Sequence, residues 1–297
     1  MNVIEIKNLK KYFKAVKAVD DISLNVEEGE IFGFLGPNGA GKTTTIRLML
    51  DFIHKQEGYI KILGKDSHHD YADIKKKVGY IPSEDTLYEN WNGLDHIRLF
   101  EGVYGKSENL EELISIFDFD PKRKVIDLSS GNKRKLAIIL ALMHKPKLLI
   151  SDEPTSGLDP LLQNRFYETI TRMNKEGMTV FMSSHNLGEV ERTCTNFGII
   201  KSGKIIACER IADLHHKKIF NIDVIFSKTV NPAIFNKSHL EIISHSQNKY
   251  TFKVKKDINE AICILAKYKL ENIEIYHASL EDIFMEFYGI SKSNNNN

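Results

Sequence analysis

The run Gly36-Pro37-Asn38-Gly39-Ala40-Gly41-Lys42-Thr43-Thr44, directly behind the apolar segment Ile31-Phe32-Gly33-Phe34-Leu35, decides the fold. Its spacing is G-x-x-x-x-G-K-T. Glycines at 36, 39 and 41 let the backbone turn back until successive N–H groups point into one concavity, which favours an anion. Phosphates fit there. Lys42 reaches the outer phosphates as a point charge, Thr43 offers its hydroxyl to Mg²⁺, and a helix beginning near Lys42 presents its positive end. A strand before the loop and a helix after it are the context that separates such a site from a glycine-rich turn matching by chance.

Working outward, Val3 to Ile6 and Ile22 to Val26 alternate apolar with polar as half-buried strands do, and a turn at Glu28-Gly29 leads into Ile31 to Leu35. After the loop, Ile46, Leu50 and Ile53 form one helical stripe, and Gly58 ends it. Strands are expected at Tyr59 to Leu63 and Val78 to Ile81, with a short charged helix at Tyr71 to Lys77 between them. From Glu84 to Pro146 helical periodicity takes over, closing with Leu136, Ile139, Leu140 and Met143 behind the turn Ser129-Ser130-Gly131. Strands return at Leu148 to Ser151, Thr179 to Ser183, Phe197 to Lys201 and Lys204 to Cys208, alternating with helices from Pro160 to Glu176 and Asn186 to Cys194. That alternation predicts an α/β fold with a mostly parallel sheet, antiparallel N-terminal strands and a helical insert at about 84–146, together spanning residues 1–216. A small α+β domain is expected over 217–290, with strands at Asn221 to Phe226, Tyr250 to Val254 and Ile273 to Tyr276 and helices at Ile258 to Tyr268 and Leu280 to Tyr288. The polar run 291–297 reads as a disordered tail.

Composition removes several classes. With 41 Lys plus Arg against 40 Asp plus Glu, no global basic field argues for nucleic acid. Cys194, Cys208 and Cys263 are widely spaced, which suggests neither a disulfide framework nor a cysteine zinc site. No apolar run approaches the roughly 20 residues of a membrane helix, and MNVIEIKNLK lacks a signal-peptide core, so membrane contact is expected through a partner. The basic runs Lys122-Arg123-Lys124 and Lys133-Arg134-Lys135 read as solvated faces, the second adding positive potential near phosphates. His68-His69 and His215-His216 lack ligand spacing with acids or cysteines and read as surface.

The strand Leu148 to Ser151 delivers Asp152 and Glu153 at its C-terminal end, where a phosphate-loop enzyme places the carboxylate that holds Mg²⁺. Asp152 takes that role. Glu153, one residue on, points beyond the γ-phosphate and polarises the attacking water as general base. The bland reading of this pair is a strand-end acid pair capping the turn at Pro154.

Leu128 to Leu136 reads LSSGNKRKL and Ser151 to Pro160 reads SDEPTSGLDP. Together with GPNGAGKTT, and in this order over roughly residues 1–215, these runs resemble the ATP-binding subunits of ABC transporters. The resemblance implies ATP and Mg²⁺ as cofactors, with phosphate contacts from Gly36, Asn38, Gly39, Ala40, Gly41, Lys42, Thr43 and Thr44 and metal contacts from Thr43 and Asp152. It implies Glu153, His185 and Lys42 as the catalytic set, His185 being the switch histidine behind the strand ending at Ser183. It also makes Phe13 the ring stacked on adenine, with Tyr12 as fallback. Ser129 and Gly131 become parts of the signature that caps ATP held by a second subunit, and Asp159 the loop acid that crosses to that partner. Ser129 and Asp159 are equally readable as plain helix caps.

Three positions depart from the family pattern: Ser130 and Asn132 stand for a glycine and a glutamine in the signature, and Ser83 stands where a glutamine is usual, too short to reach both metal and water. The segment Ser83 to Asn92 is then the expected docking surface for an integral-membrane permease. The machine implied is a peripheral ATPase on the cytoplasmic side of the membrane, paired with a second ATP-binding subunit and not with nucleic acid. The tail ASLEDIF from Ala278, with the small C-terminal unit, resembles bacterial exporter ATPases serving drugs, peptides or lipids. Rivals are a soluble ABC ATPase acting on ribosomes or DNA, and a weakly hydrolytic regulatory subunit or an importer ATPase.

Overall fold

The computed structural model describes residues 1–84, 86–215, 219–237, 240–255 and 257–277. The chain divides into two compact units, Met1–Glu209 and Arg210–Asn297.

In the first unit, β1 (Asn2–Phe13) and β2 (Val16–Glu27) form a long antiparallel hairpin turned at Lys14, whose φ is 52°. The expected strands Val3 to Ile6 and Ile22 to Val26 cover only the start of β1 and the end of β2. β3 is Ile31–Leu35 and α1 is Lys42–Met49. α1 stops earlier than its apolar stripe predicts, because Asp51 takes a left-handed φ of 54° and Ile53 lies beyond the helix. Next come β4 (Glu57–Ile62), β5 (Lys65–Asp66), α2 (Tyr71–Lys75) and β6 (Val78–Ile81). Between β6 and β7 (Leu148–Asp152) the chain is helical: α3 (Gly93–Tyr104), α4 (Leu110–Phe117), a 3₁₀ turn at Val125–Asp127 and α5 (Ser130–Leu142). α6 (Pro160–Lys175), β8 (Thr179–Ser184), α7 (Leu187–Thr193), β9 (Asn196–Lys201) and β10 (Lys204–Arg210) follow.

Two sheets result. One is antiparallel in the order β2-β1-β4-β5. The other runs β10-β9-β3-β8-β7-β6, with parallel pairing from β9 through to β6. β3, β7 and β8 are buried at every position, as strands covered on both faces are. Ile4, Ile6, Leu24, Phe34, Ile46, Ile60, Ile150 and Phe181 share one apolar core that joins the two sheets through α1. The functional consequence is placement: the C-terminal ends of β3, β7 and β8 lie side by side, which is where ligands bind in parallel α/β sheets.

The second unit holds α8 (Ile211–His215), β11 (Phe220–Phe226), β12 (Leu240–Ser246), β13 (Lys249–Val254), α9 (Ile258–Leu265) and β14 (Leu270–His277). Its antiparallel sheet has the order β12-β13-β11-β14, over a core of Ile222, Phe235, Tyr250, Phe252 and Leu265. Strand β12 has no counterpart in the sequence reading. α9 ends three residues short of Tyr268. The expected helix from Leu280 to Tyr288, the ASLEDIF run and the tail 291–297 lie outside the described residues.

Candidate nucleotide phosphate site

The loop between β3 and α1 is held by close backbone approaches that only glycine permits. A Cβ on Gly36 would lie 2.3 Å from the Ile200 carbonyl oxygen, and one on Gly41 would lie 2.3 Å from that of Ala18. Gly41 also takes φ 114° as the residue before α1, and no side chain caps the helix there. The first-turn N–H groups of α1 therefore have no side-chain cap at the positive end of the helix dipole. Lys42 is buried, and its ammonium donates to the carbonyls of Gly36 at 2.7 Å and Pro37 at 3.3 Å. Around the loop runs a groove of about 510 Å³ lined by Phe13, Val16, Ala18, Asn38, Gly39, Gly41, Lys42, Thr43, Thr44, Ser83 and Glu153.

The C-terminal end of β7 carries two carboxylates in different states: Glu153 lines the groove, and Asp152, next to it in the chain, is not among the lining residues. Asp152 is fully buried. Its Oδ1 accepts a 2.5 Å hydrogen bond from the Ser183 hydroxyl of β8, whereas Oδ2, also buried, has no hydrogen-bond partner. A buried anionic oxygen without a donor is costly. A hard cation with oxygen ligands is the partner it suits, and together with the Thr43 hydroxyl on the groove wall the donor set fits Mg²⁺. Glu153 is only partly buried and adopts a left-handed φ of 48°. Its N–H donates to Ser183 Oγ at 3.0 Å, so one hydroxyl fixes both acids. Glu153 Oε1 lies 3.4 Å from Lys42 Nζ, and Oε2 lies 3.2 Å from Nδ1 of His185, which is exposed. Lys42, Glu153 and His185 thus form a continuous row of polar side chains. Beside it, the Tyr80 hydroxyl of β6 is pushed up to about 12, by burial first and by the negative charge of Asp152 second.

Arg134 overturns the expectation for the second basic run. It is buried rather than solvated, and its guanidinium turns inward. Nε donates to Pro154 O at 2.8 Å, Nη2 to Glu153 O at 2.5 Å and Asp152 O at 3.3 Å, and Nη1 to Pro82 O. One planar fork therefore ties the loop after β6 to the loop after β7, from the first turns of α5. Sequence reasoning missed it because three adjacent basic residues look alike. The available signal was spacing: Arg134 is two residues before buried Leu136 and four before buried Ile138, on a helix whose later residues are all buried.

The remaining expected residues divide. Phe13 is exposed and on the groove wall, while Tyr12 turns away to donate from its hydroxyl to Asp20 Oδ1 at 2.5 Å. Ser83 lines the groove despite its short side chain. Ser129, Gly131 and Asp159 are not among the groove residues. Ser129 Oγ accepts from Asn132 N–H at 3.3 Å and Asp159 Oδ1 from Leu162 N–H at 2.9 Å, so both act as helix caps within the chain. Gly131 lies near the Gly157 carbonyl, which a Cβ would approach to 3.6 Å.

Comparison with known proteins agrees with this geometry. The ABC transporter family pattern matches residues 19–156. An uncharacterized ABC transporter ATP-binding protein, YhcH of Bacillus subtilis (strain 168), is 32% identical over 301 residues, covering 98% of this chain and 97% of its own. The bacitracin transport ATP-binding protein BcrA of Bacillus licheniformis is 37% identical over 73% of this chain and 72% of its own. The linearmycin resistance ATP-binding protein LnrL of Bacillus subtilis (strain 168) is 36% identical over 71% and 70%. Among solved structures, an ATP-binding subunit of an ABC transporter superposes with a TM-score of 0.67 at 30% identity, covering 72% of this chain and 92% of that one. The chain therefore belongs to the ABC transporter ATP-binding proteins, the ATPase subunits of that family.

Proposed function

We propose that the chain powers a separate membrane permease by closing on ATP with a second ATP-binding subunit and opening when ATP is hydrolysed. The observation that carries this reading is the row Lys42–Glu153–His185, with Glu153 bridging the other two at 3.4 and 3.2 Å. Phe13 stacks on the adenine from the groove wall, and the loop Gly36 to Thr44 takes the phosphates. Mg²⁺, held by Thr43 and Asp152, neutralises phosphate charge when bound. Glu153 accepts the proton of the water that attacks the γ-phosphorus, and Lys42 and His185 stabilise charge on the phosphoryl oxygens. Lys42 leaves its present carbonyl partners and Glu153 for phosphate oxygens, which frees the Glu153 carboxylate for water.

Ser129, Gly131 and Asp159 are absent from this chain's own groove and lie at the exposed starts of α5 and α6. That supports their facing the ATP of the second subunit, so that each nucleotide is held between two chains. The differential affinity of ATP for closed and open pairs then drives the permease between two states. Among the described residues no helix is long and apolar enough to cross a membrane, which is consistent with a peripheral subunit on the cytoplasmic side, docked through the segment from Ser83 to Asn92. Tyr88 and Trp91 in that segment are exposed aromatic rings whose centroids lie 4.7 Å apart at a tilt of 38°, the kind of surface a permease helix covers. Similarity to the bacitracin transport and linearmycin resistance proteins supports export of a drug, peptide or lipid.

Glu153→Gln tests the assignment. Loss of the general base lowers steady-state phosphate release by about 10²–10⁴-fold, while ATP binding persists and the chain accumulates as an ATP-bound dimer in sedimentation. Unchanged hydrolysis in the purified complex overturns the role of Glu153.

A further inference from the structure

At the end of α1 away from the phosphate loop, the chain makes a turn whose chemistry the nucleotide site does not use. Phe52 N–H donates to Arg47 O at 2.8 Å and Asp51 N–H to Leu48 O at 3.2 Å, the paired bonds of a helix stop in which Asp51 occupies the left-handed position with φ 54°. Glycine or asparagine suits that backbone better than aspartate. What aspartate adds is a carboxylate placed between two imidazoles. Asp51 Oδ1 lies 3.4 Å from His54 Nδ1, and Oδ2 lies 2.9 Å from His68 Nδ1. His68 arrives from a different part of the chain, on the turn after β5, where Asp66 Oδ1 accepts from the N–H groups of both His68 and His69 at 2.9 and 3.0 Å. His68 is exposed, as the surface reading expects, and the fold brings it within reach of an acid that its spacing along the sequence does not offer.

We propose that Asp51, His54 and His68 form a transition-metal site of the kind that takes zinc(II). One ligand atom from each of the three lies within 4.8 Å of the others. Tetrahedral zinc, with bonds of about 2.0–2.2 Å, sets its ligand atoms about 3.4 Å apart, so a small adjustment of the two imidazoles brings the set into register. Both imidazoles have room for it, with His54 75% and His68 49% exposed, while Asp51 at 14% is the fixed point of the cluster. Two nitrogen donors and one oxygen select a borderline metal such as zinc over Mg²⁺ or Ca²⁺, which prefer oxygen alone. The negative C-terminal end of α1 adds to the attraction for a cation. Three protein ligands leave the fourth coordination position to water. A bound ion staples the end of the helix that begins at Lys42 to the turn after β5, and so joins α1 to the edge of the antiparallel sheet.

The experiment uses the full chain without a polyhistidine tag, stripped with EDTA and titrated calorimetrically with zinc chloride in the absence of nucleotide and Mg²⁺. One zinc per chain is expected, with a rise in Tm on binding. His54→Ala and His68→Ala each weaken binding by roughly tenfold or more, and the double variant loses both the heat and the Tm shift. Asp51→Asn, which keeps a residue at home in the left-handed turn, gives the same loss without disturbing the helix stop, and circular dichroism verifies that each variant is folded. Absence of zinc uptake by the unsubstituted chain, or unchanged stoichiometry and affinity in the double variant, overturns the site; the latter outcome assigns the ion elsewhere, for instance to the exposed thiol of Cys208 or that of Cys263.

Discussion

Arg134 explains how Glu153 is held where it works. A non-glycine residue at φ 48° persists only when its surroundings over-determine it. The Arg134 fork supplies that constraint by taking the carbonyls of Asp152, Glu153 and Pro154, while the Ser183 hydroxyl takes the Glu153 N–H from the other side. Because the same guanidinium also takes Pro82 O, it ties the loop after β6 to the backbone of Glu153. Arg134→Ala removes the guanidinium from the carbonyls of Pro82, Asp152, Glu153 and Pro154, of which Glu153 O keeps the Ser156 N–H, and an expected loss of about 3–5 kcal/mol follows from the range for breaking buried charged networks. Urea unfolding measures it. Arg134→Lys keeps the charge but not the planar fork, so it is expected to fold while phosphate release per bound ATP falls. A lysine variant with unchanged turnover limits Arg134 to stability.

At the scale of elements, β6 and β7 carry a signature that pH reads out. Tyr80 on β6 ionises near 10 in the unfolded chain and near 12 in the folded one. The folded state therefore holds the phenolic proton more tightly, so this contribution to stability is present below pH 10 and is lost as pH rises from 10 towards 12. Denaturant midpoints across that window are expected to fall, and Tyr80→Phe to flatten part of the fall. Tyr104 and Tyr167, also raised by burial, act in the same direction. β7 illustrates what is legible in a sequence. Its apolar run and terminal acids are local, and so is the loop of glycines behind β3; each is specified by spacing along the chain. The contacts that make β7 a site are not local. The Ser183 hydroxyl that fixes both acids is 31 residues from Asp152, and Asp51 meets His68 across 17. No period along the sequence encodes such a meeting. The length of α1 failed for a related reason: its apolar stripe continues to Ile53, but a single left-handed residue ends the helix first.

For the whole molecule, the described residues gather around separate apolar cores in the two units. The described apolar core that carries β1 to β4, α1 and β7 uses residues from Val3 to Ile200, and that of the second unit uses residues from Ile222 to Leu265. Neither borrows a residue from the other. Every groove residue lies between Phe13 and Glu153, inside the first unit. The second unit was less legible, and β12 was missed, because only Leu240 among its residues is buried and its pairing with β13 reverses across a turn of polar residues. A chain ending after Arg210 keeps β10 whole and removes the rest of the second unit. It is expected to unfold in one cooperative transition and to bind ATP within about threefold of the full chain, a difference below roughly 1 kcal/mol. Calorimetric titration of both proteins with ATP and Mg²⁺ checks this. A truncated chain that folds but binds much more weakly shows instead that residues beyond 210 shape the nucleotide groove.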